Sequence, residues 1–217
     1  MGPENSRENL PNRAVLRRGL YLITPDELDD ARLLARVRPL LPYASCLQYR
    51  NKRAEAGQRR RQVDQLLSLC RNTGTPLLVN DDAGLAAQTG ADGAHLGEHD
   101  GTIAAARMLL GADAIIGVSC YDDASLARNA AAEGADYIAF GAFFASSTKP
   151  SARRASIGIL RQRHAPGLPQ VAIGGITPDN ARTLIAAGAD LVAVISGVFD
   201  APDPVAAARA YAACFTE

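Results

Sequence analysis

The chain is poor in aromatic residues, 5% in all, and has no surplus of charge, with Lys plus Arg and Asp plus Glu each numbering 23. Without a basic stripe or interleaved aromatics there is no electrostatic case for nucleic-acid binding, so the cations are read as serving a site. Paired cysteines are missing as well. Cys46, Cys70, Cys120 and Cys214 lie far apart with no CxxC, which argues against a zinc site or disulfide framework and suits cytosolic thiols. No segment approaches the roughly 18 apolar residues of a membrane span. Residues 1–18, MGPENSRENLPNRAVLRR, lack the apolar stretch of a signal peptide. A cytoplasmic protein without membrane attachment is expected, its first 18 residues a frayed tail. Neither a Ser, His and Asp arrangement nor a GxGxxG opening a helix is evident, and His95, His99 and His164 lack metal-binding spacing.

What is present is a repeat. At 217 residues and 47% hydrophobic, the chain can bury a large core. Short β-rich apolar runs lie at 19–24, 45–50, 76–80, 92–96, 114–119, 136–140, 170–174 and 190–195. Ala-, Leu- and Arg-rich stretches with helical spacing separate them, with Leu28, Leu33, Leu34 and Val37 in the first and Val63, Leu66, Leu67 and Cys70 in the second. Three helix ends carry nearly the same word: TGADG at 89–93, EGADY at 133–137 and AGADL at 187–191. In each, glycine suits the left-handed position that ends a helix. Eight strand and helix pairs predict an α/β protein, a single-domain TIM (β/α)8 barrel over residues 19–217. A doubly wound open sheet is the competitor, but it would gather its ligand groups at one switch point, whereas here polar sets follow strands all around the count.

Those polar sets belong at the carboxyl ends of the strands, where a barrel carries its chemistry. After the second strand, Gln48, Arg50 and Lys52 alternate and can point to one side of an extended backbone. The third strand ends in VNDD (79–82) and the fourth in HLGEHD (95–100), so Asp81 and Asp100 sit on neighbouring loops. Adjacent strands are about 4.8 Å apart, close enough for two carboxylates to share one hard cation. Magnesium is the natural occupant if a diphosphate completes its shell. Asp82, just before a helix, is read as an N-cap, and His95, within a strand, as a packed or hydrogen-bonded histidine. In FGAFFASSTKP (140–150) an apolar run stops in hydroxyls and a lysine, groups that suit a phosphoester. IGGIT (173–177) and VISGVF (194–199) expose backbone N–H groups at the two strands where TIM barrels commonly hold a phosphate. Two anionic stations imply two phosphorylated substrates.

Taken together, LQYRNK, VNDD, ADGAHLGEHD, IIGVSCYD, GADYIAFGAFFASSTKP, VAIGGIT and ADLVAVISGVF resemble the thiamine-phosphate synthases in order and spacing, from residue 19 to about 215. The resemblance implies a transferase that joins hydroxymethylpyrimidine diphosphate to a thiazole phosphate with magnesium, releasing pyrophosphate. It implies that Gln48, Tyr49, Arg50, Asn51 and Lys52, with Asn80, Ser119 and Lys149, hold the pyrimidine diphosphate, and that Asp81 and Asp100 bind the metal. Ser146, Ser147, Thr148, Gly175, Ile195 and Ser196 would hold the thiazole phosphate, and Arg50, Lys52 and Lys149 would carry the catalytic charge. The chain departs from the family pattern at Glu98, where glutamine is expected, and at Ser146, where threonine is. The related thiazole tautomerase is the nearest rival, but Ser119, Cys120, Tyr121 and Asp122 offer no histidine after the fifth strand. A barrel that binds a phosphometabolite without turnover would show decay at the cationic and metal positions, which are intact. Gly141, the serine pair and Arg153-Arg154 suggest a lid over the site within 141–155. The pattern marks no self-association face, and so leaves a homo-oligomer open.

Overall fold

The computed structural model describes residues 16–145 and 154–216. Eight strands, β1 (Gly19–Ile23), β2 (Ala44–Tyr49), β3 (Leu77–Asn80), β4 (Gly93–Leu96), β5 (Ile115–Tyr121), β6 (Tyr137–Gly141), β7 (Gln170–Ile173) and β8 (Leu191–Val194), pair in chain order. All eight pairings are parallel, and β8 closes the barrel on β1 with Leu191 opposite Gly19. The helices are α1 (Asp30–Val37), α2 (Ala56–Thr73), α3 (Ala83–Thr89), α4 (Ile103–Leu110), α5 (Ala124–Ala132), α6 (Gly158–Arg161), α7 (Pro178–Ala186), α8 (Ser196–Phe199) and α9 (Pro204–Ala213). The barrel read from the sequence is the barrel observed, as a single domain. The eighth helical position is split between the single turn α8 and the longer α9, and a 3-10 segment (Arg38–Tyr43) follows α1.

Strand alternation divides the core in two. Leu20, Leu22, Leu47, Tyr49, Val79 and Ile138 face outward into the layer between strands and helices, where Val63, Leu66, Leu67 and Cys70 of α2 meet them. Tyr21, Ile23, Cys46, Leu78, Ile115, Tyr137, Val171 and Leu191 fill the barrel interior. Of the segment 1–18 expected as a tail, residues 1–15 lie outside the described residues, whereas Leu16 is 5% exposed and belongs to the interior cluster. Leu28 falls outside its expected helix. Asp29 caps α1 by accepting from the Arg32 N–H at 2.9 Å, so the helix starts after Leu28, which is left 44% exposed.

The recurring Gly-Ala-Asp word has a structural reason. Gly90, Gly134 and Gly188 have φ of 69°, 89° and 116°, the left-handed turn that leaves each helix. The aspartate two positions on then makes two bonds to the preceding strand's first residues. Asp92 takes the Leu77 N–H on its carboxylate at 2.7 Å and gives its own N–H to the Leu77 carbonyl at 2.9 Å. Asp136 does the same with Ile116 (2.8 and 2.7 Å) and Asp190 with Gln170 (3.0 and 2.8 Å). Backbone donors at the barrel's amino-terminal rim, which have no ladder partner, are thus satisfied by a carboxylate. Arg107 ion-pairs Asp136 at 2.7 Å and Arg163 pairs Asp190 at 3.1 Å, completing the rim.

The four cysteines are all buried. Burial pushes the Cys70 and Cys120 thiols up to about 12, which leaves them without thiolate character. Among the described residues, no helix is long and apolar enough to cross a membrane.

Candidate active site

The carboxyl ends of the strands open onto a cavity of about 620 Å³. Gln48, Arg50, Lys52, Asn80, Asp81, Asp100, Ser119, Gly175, Ile195 and Ser196 all line it, so the structure brings together residues that the sequence spreads over 149 positions. Glu98 and His99 line the same wall. Ser146, Ser147, Thr148 and Lys149, with most of the segment expected to form a lid, lie outside the described residues.

Two members of the expected set face elsewhere. Tyr49 and Asn51 occupy the alternate positions of the Gln48 to Lys52 segment and turn toward α2, where the Tyr49 hydroxyl donates to Gln62 Oε1 at 2.8 Å. Asn51 Nδ2 donates to the Glu27 carbonyl at 2.6 Å and to Gln62 Oε1 at 3.1 Å. Both are buried, and both anchor the strand end instead of lining the cavity. The period of two that sends three side chains inward sends these two outward.

The loop after β1 positions the cationic side. The buried Thr24 hydroxyl exchanges 2.8 Å bonds with the backbone N–H and carbonyl of Arg50. Asp26 accepts from Arg50 Nη1 at 3.0 Å and from the Lys52 N–H at 2.8 Å. Arg50 is thereby held with its guanidinium at the cavity wall, and a bidentate fork remains for an anion. Sequence reasoning missed Thr24 and Asp26, although the polar TPDE segment that ends the first apolar run carried the same kind of signal as the other strand ends.

The acidic side is formed by Asp81 and Asp100. Asp81 follows β3 with φ of 62°, a left-handed conformation that costs a non-glycine residue energy and is tolerated best by Asp and Asn. Its N–H bonds the His95 carbonyl at 2.8 Å, which fixes the turn. Burial, then the Asp100 carboxyl within hydrogen-bonding reach, push the Asp81 carboxyl above its ordinary range. The Lys52 ammonium, 3.6 Å away, offsets part of that cost. Asp100 accepts from the Gly97 N–H at 2.8 Å, closing its own loop. Two crowded carboxylates facing an open cavity form a donor set suited to a hard cation, and among the described residues no third His, Cys, Asp or Glu joins them in a ready-made metal cage. Asp82 is the N-cap of α3, accepting from Leu85 at 2.8 Å, and it ion-pairs Arg59 at 2.9 Å.

Opposite, β7 and β8 supply main-chain donors. Gly174 and Gly175 have φ of 104° and 59°, and a Cβ on Gly175 would sit 2.1 Å from the Ala145 carbonyl oxygen. Only glycine allows the β6 loop to approach this closely. The α8 turn begins at Ser196 with no side-chain cap, and Ser196 and Gly197 line the cavity. An uncapped turn at this place in the barrel offers N–H groups to an anion.

The cavity floor is polar although the interior cluster around it is apolar. Gln48 Nε2 donates to the Tyr21 hydroxyl at 3.0 Å, Tyr21 and Tyr137 share a 2.7 Å bond, and His95 bridges Tyr137 (Nδ1, 2.8 Å) and Ser119 (Nε2, 2.9 Å). Burial pulls His95 down to about 4, so the ring is neutral near pH 7 and serves as a hydrogen-bonded bridge. Tyr121 is a further lining residue that sequence reasoning left unassigned. It sits at the end of β5 with φ of 53°, after a register shift, and is 37% exposed. Its signal was alternation, since Gly117, Ser119 and Tyr121 share one face.

Comparison with known proteins agrees with this arrangement. Residues 20–198 match the family described as thiamine monophosphate synthase. A thiamine-phosphate synthase from Xanthomonas campestris pv. campestris (strain 8004) is 60% identical over 92% of this chain and 97% of its own length. One from Azoarcus sp. (strain BH72) is 57% identical, covering 91% of this chain and 97% of its own. Among solved structures, thiamine phosphate pyrophosphorylase from Pyrococcus furiosus superposes with a TM-score of 0.80 at 32% identity, covering 92% of this chain and 96% of that one. With motifs, barrel and full-length relatives in agreement, the chain belongs to the thiamine monophosphate synthase family.

Proposed function

We propose that the protein condenses hydroxymethylpyrimidine diphosphate with a thiazole phosphate, releasing pyrophosphate and forming thiamine monophosphate, with magnesium, in the cytoplasm. The observation that carries the reading is the juxtaposition, in one cavity, of a cationic wall, an acidic pair and a main-chain cradle. The diphosphate belongs against Arg50 and Lys52, with Gln48, Asn80 and Ser119 around the pyrimidine. The single phosphate belongs on the β7 and β8 donors at Gly175, Ile195 and Ser196. Asp81 and Asp100 would hold the magnesium ion, which when bound neutralises charge on the departing diphosphate. The sequence adds Ser146, Ser147 and Thr148 to the thiazole phosphate and Lys149 to the diphosphate.

The bond between the pyrimidine methylene carbon and the diphosphate oxygen breaks, and its electron pair leaves with the oxygen. The thiazole nitrogen then donates its lone pair to that carbon, and the ring becomes cationic. No proton moves at the forming bond, so neither a protein nucleophile nor a general base is needed. Arg50 and Lys52 stabilise the charge that grows on the leaving group, and the placement of the Arg50 guanidinium by Thr24 and Asp26 spares reorganisation at that moment. The barrel walls hold the thiazole nitrogen and the methylene carbon in line while limiting access of water.

Purified protein incubated with both substrates and magnesium is expected to release pyrophosphate and thiamine monophosphate in equal amounts. Pyrophosphate must fail to appear when either substrate is left out. Absence of both products under these conditions would overturn the reading, and conversion of a thiazole isomer in the absence of the diphosphate would replace it with tautomerase activity.

A further inference from the structure

The bonds along the cavity floor form one continuous chain from β2 to β5: Gln48, Tyr21, Tyr137, His95, Ser119. Its three middle members are buried inside the barrel, Tyr137 wholly and Tyr21 with 1% exposure. Hydroxyls placed there are costly unless every proton has an acceptor. The chain has a definite sense. The Gln48 amide nitrogen can only donate, so Tyr21 accepts from it. If Tyr137 also donated to Tyr21, the Tyr21 proton would be left without an acceptor among the described residues. Tyr21 therefore donates to Tyr137, Tyr137 donates to His95 Nδ1, and the His95 proton resides on Nε2 and is given to Ser119. Ser119 Oγ accepts from the ring, and its own proton remains for whatever lies in the cavity.

The fold makes room for this chain at some cost. Tyr137 stands beside Gly117 of β5, and a Cβ on that residue would sit 1.9 Å from the tyrosine Cζ. The ring also packs edge-on against Tyr21 (5.9 Å between centroids) and stacks on His95 (5.6 Å). A phenylalanine at 137 would fill the same space, so packing alone does not call for the hydroxyl.

We propose that Tyr21, Tyr137 and His95 are positioning residues. They fix the amide orientation of Gln48 and hold Ser119 as a hydrogen-bond donor, and so orient the heteroaromatic ring of the diphosphate substrate. The inference rests on the placement of Gln48 and Ser119 at that substrate. None of the three needs to touch the reacting atoms. Their action runs through the two ends of the chain.

The test is a double-mutant cycle between Tyr137→Phe and Ser119→Ala, with steady-state kinetics for each substrate. Tyr137→Phe is expected to lower kcat/KM for the pyrimidine diphosphate by roughly tenfold, the range of one lost buried hydrogen bond, while the KM for the thiazole phosphate stays within about twofold. In the Ser119→Ala background the same change is expected to cost no more than about threefold, because one of the two ends it acts through is already gone and only the Gln48 end remains. An equal loss in both backgrounds, or full kcat/KM in Tyr137→Phe beside an impaired Ser119→Ala, overturns the positioning role and leaves the proposed reaction standing. Full activity in Ser119→Ala overturns the substrate placement itself, and the inference with it. His95→Asn, run through the same cycle, decides the matter should Tyr137→Phe not fold, with the same collapse expected in the Ser119→Ala background and the same persistence counting against it.

Discussion

The two rims of the barrel use the same residue type for opposite ends. At the amino-terminal rim, Asp92, Asp136 and Asp190 each close a pair of backbone bonds, and Arg107 and Arg163 cover the latter two. At the carboxyl-terminal rim, Asp81 and Asp100 stand against each other at an open cavity, and Asp81 sits on a left-handed backbone. The first arrangement lowers the energy of the folded chain, because each carboxylate replaces water with protein donors. The second raises it, because two like charges share a partly buried site. A fold retains such a conflict where a ligand relieves it, and the rim that is locally less stable is the one that can do chemistry.

The comparison breaks if either rim behaves like the other. The largest effect is expected at the acidic pair. Asp81→Asn, which tolerates the left-handed turn, and Asp100→Asn should each raise the barrier by about 3 kcal/mol, the scale of losing one charge-stabilising contact. The magnesium dependence of the remaining turnover should move to higher concentration. Neither variant should melt lower than the parent, and Asp81→Asn should melt slightly higher without metal, since it removes the repulsion. Thermal melts beside magnesium titrations of product formation check this. A variant that loses stability and keeps turnover would place Asp81 with the structural aspartates.

Asp136→Ala is the converse experiment. It strips the acceptor from the Ile116 N–H and from Arg107, and hydrogen bonds to charged groups are worth about 2 kcal/mol each in such settings. The melting temperature should fall by roughly 8–16 °C for a chain of this size, while kcat/KM per folded molecule stays within about twofold because the cavity lies at the other rim. Arg107 keeps carbonyl partners at Ala114 (2.5 Å) and Gly134 (3.0 Å), so the loss stays local. Urea unfolding and active-site-normalised rates separate the two readouts, and a large drop in specific activity would show the rims to be coupled.

The helix ends of the amino-terminal rim were legible in the sequence because the glycine turn is local, whereas the bonds its aspartates make to strands 15 to 20 positions earlier were not. Each Gly-Ala-Asp word sits within five residues of a helix end and repeats, so periodicity and capping chemistry reveal it. Strand ends with charged residues were equally plain at β2, β3 and β4. The polar floor was not, because Tyr21 and Tyr137 occur in apolar runs where tyrosine reads as core, and their partnership spans 116 positions. Tyr49 and Asn51 were drawn into the expected site by adjacency, although alternation places them on the far face. Asp26 was passed over because its partners, Arg50 and the Lys52 N–H, lie 24 and 26 positions further along the chain. What chain neighbours alone decide is readable from sequence, and what the closed barrel brings together is not.

Glu27 provides the smallest test, and it sharpens the comparison because it lies just beyond the carboxyl-terminal rim yet behaves like the aspartates of the opposite one. Its buried carboxylate accepts from Arg32 at 2.5 and 2.7 Å and from the Asp29 N–H at 3.0 Å, while its carbonyl takes Asn51 and Gln62. The Arg32 hydrogen bond is the main influence that brings the carboxyl from its ordinary 4.5 down to about 2. A carboxyl depressed on folding stabilises the native state above its unfolded pKa and loses that contribution as pH falls toward the folded one. Since Arg32 is 65% exposed, screening keeps the contribution at about 1 kcal/mol. Glu27→Gln should therefore unfold more easily than the parent at pH 7 by about that amount. The gap should narrow below pH 4.5 and close near pH 2. Denaturant unfolding of both proteins across this range measures it. A gap that stays constant with pH would mean that shape and not charge holds Glu27 in place, and would separate it from the aspartates of the opposite rim.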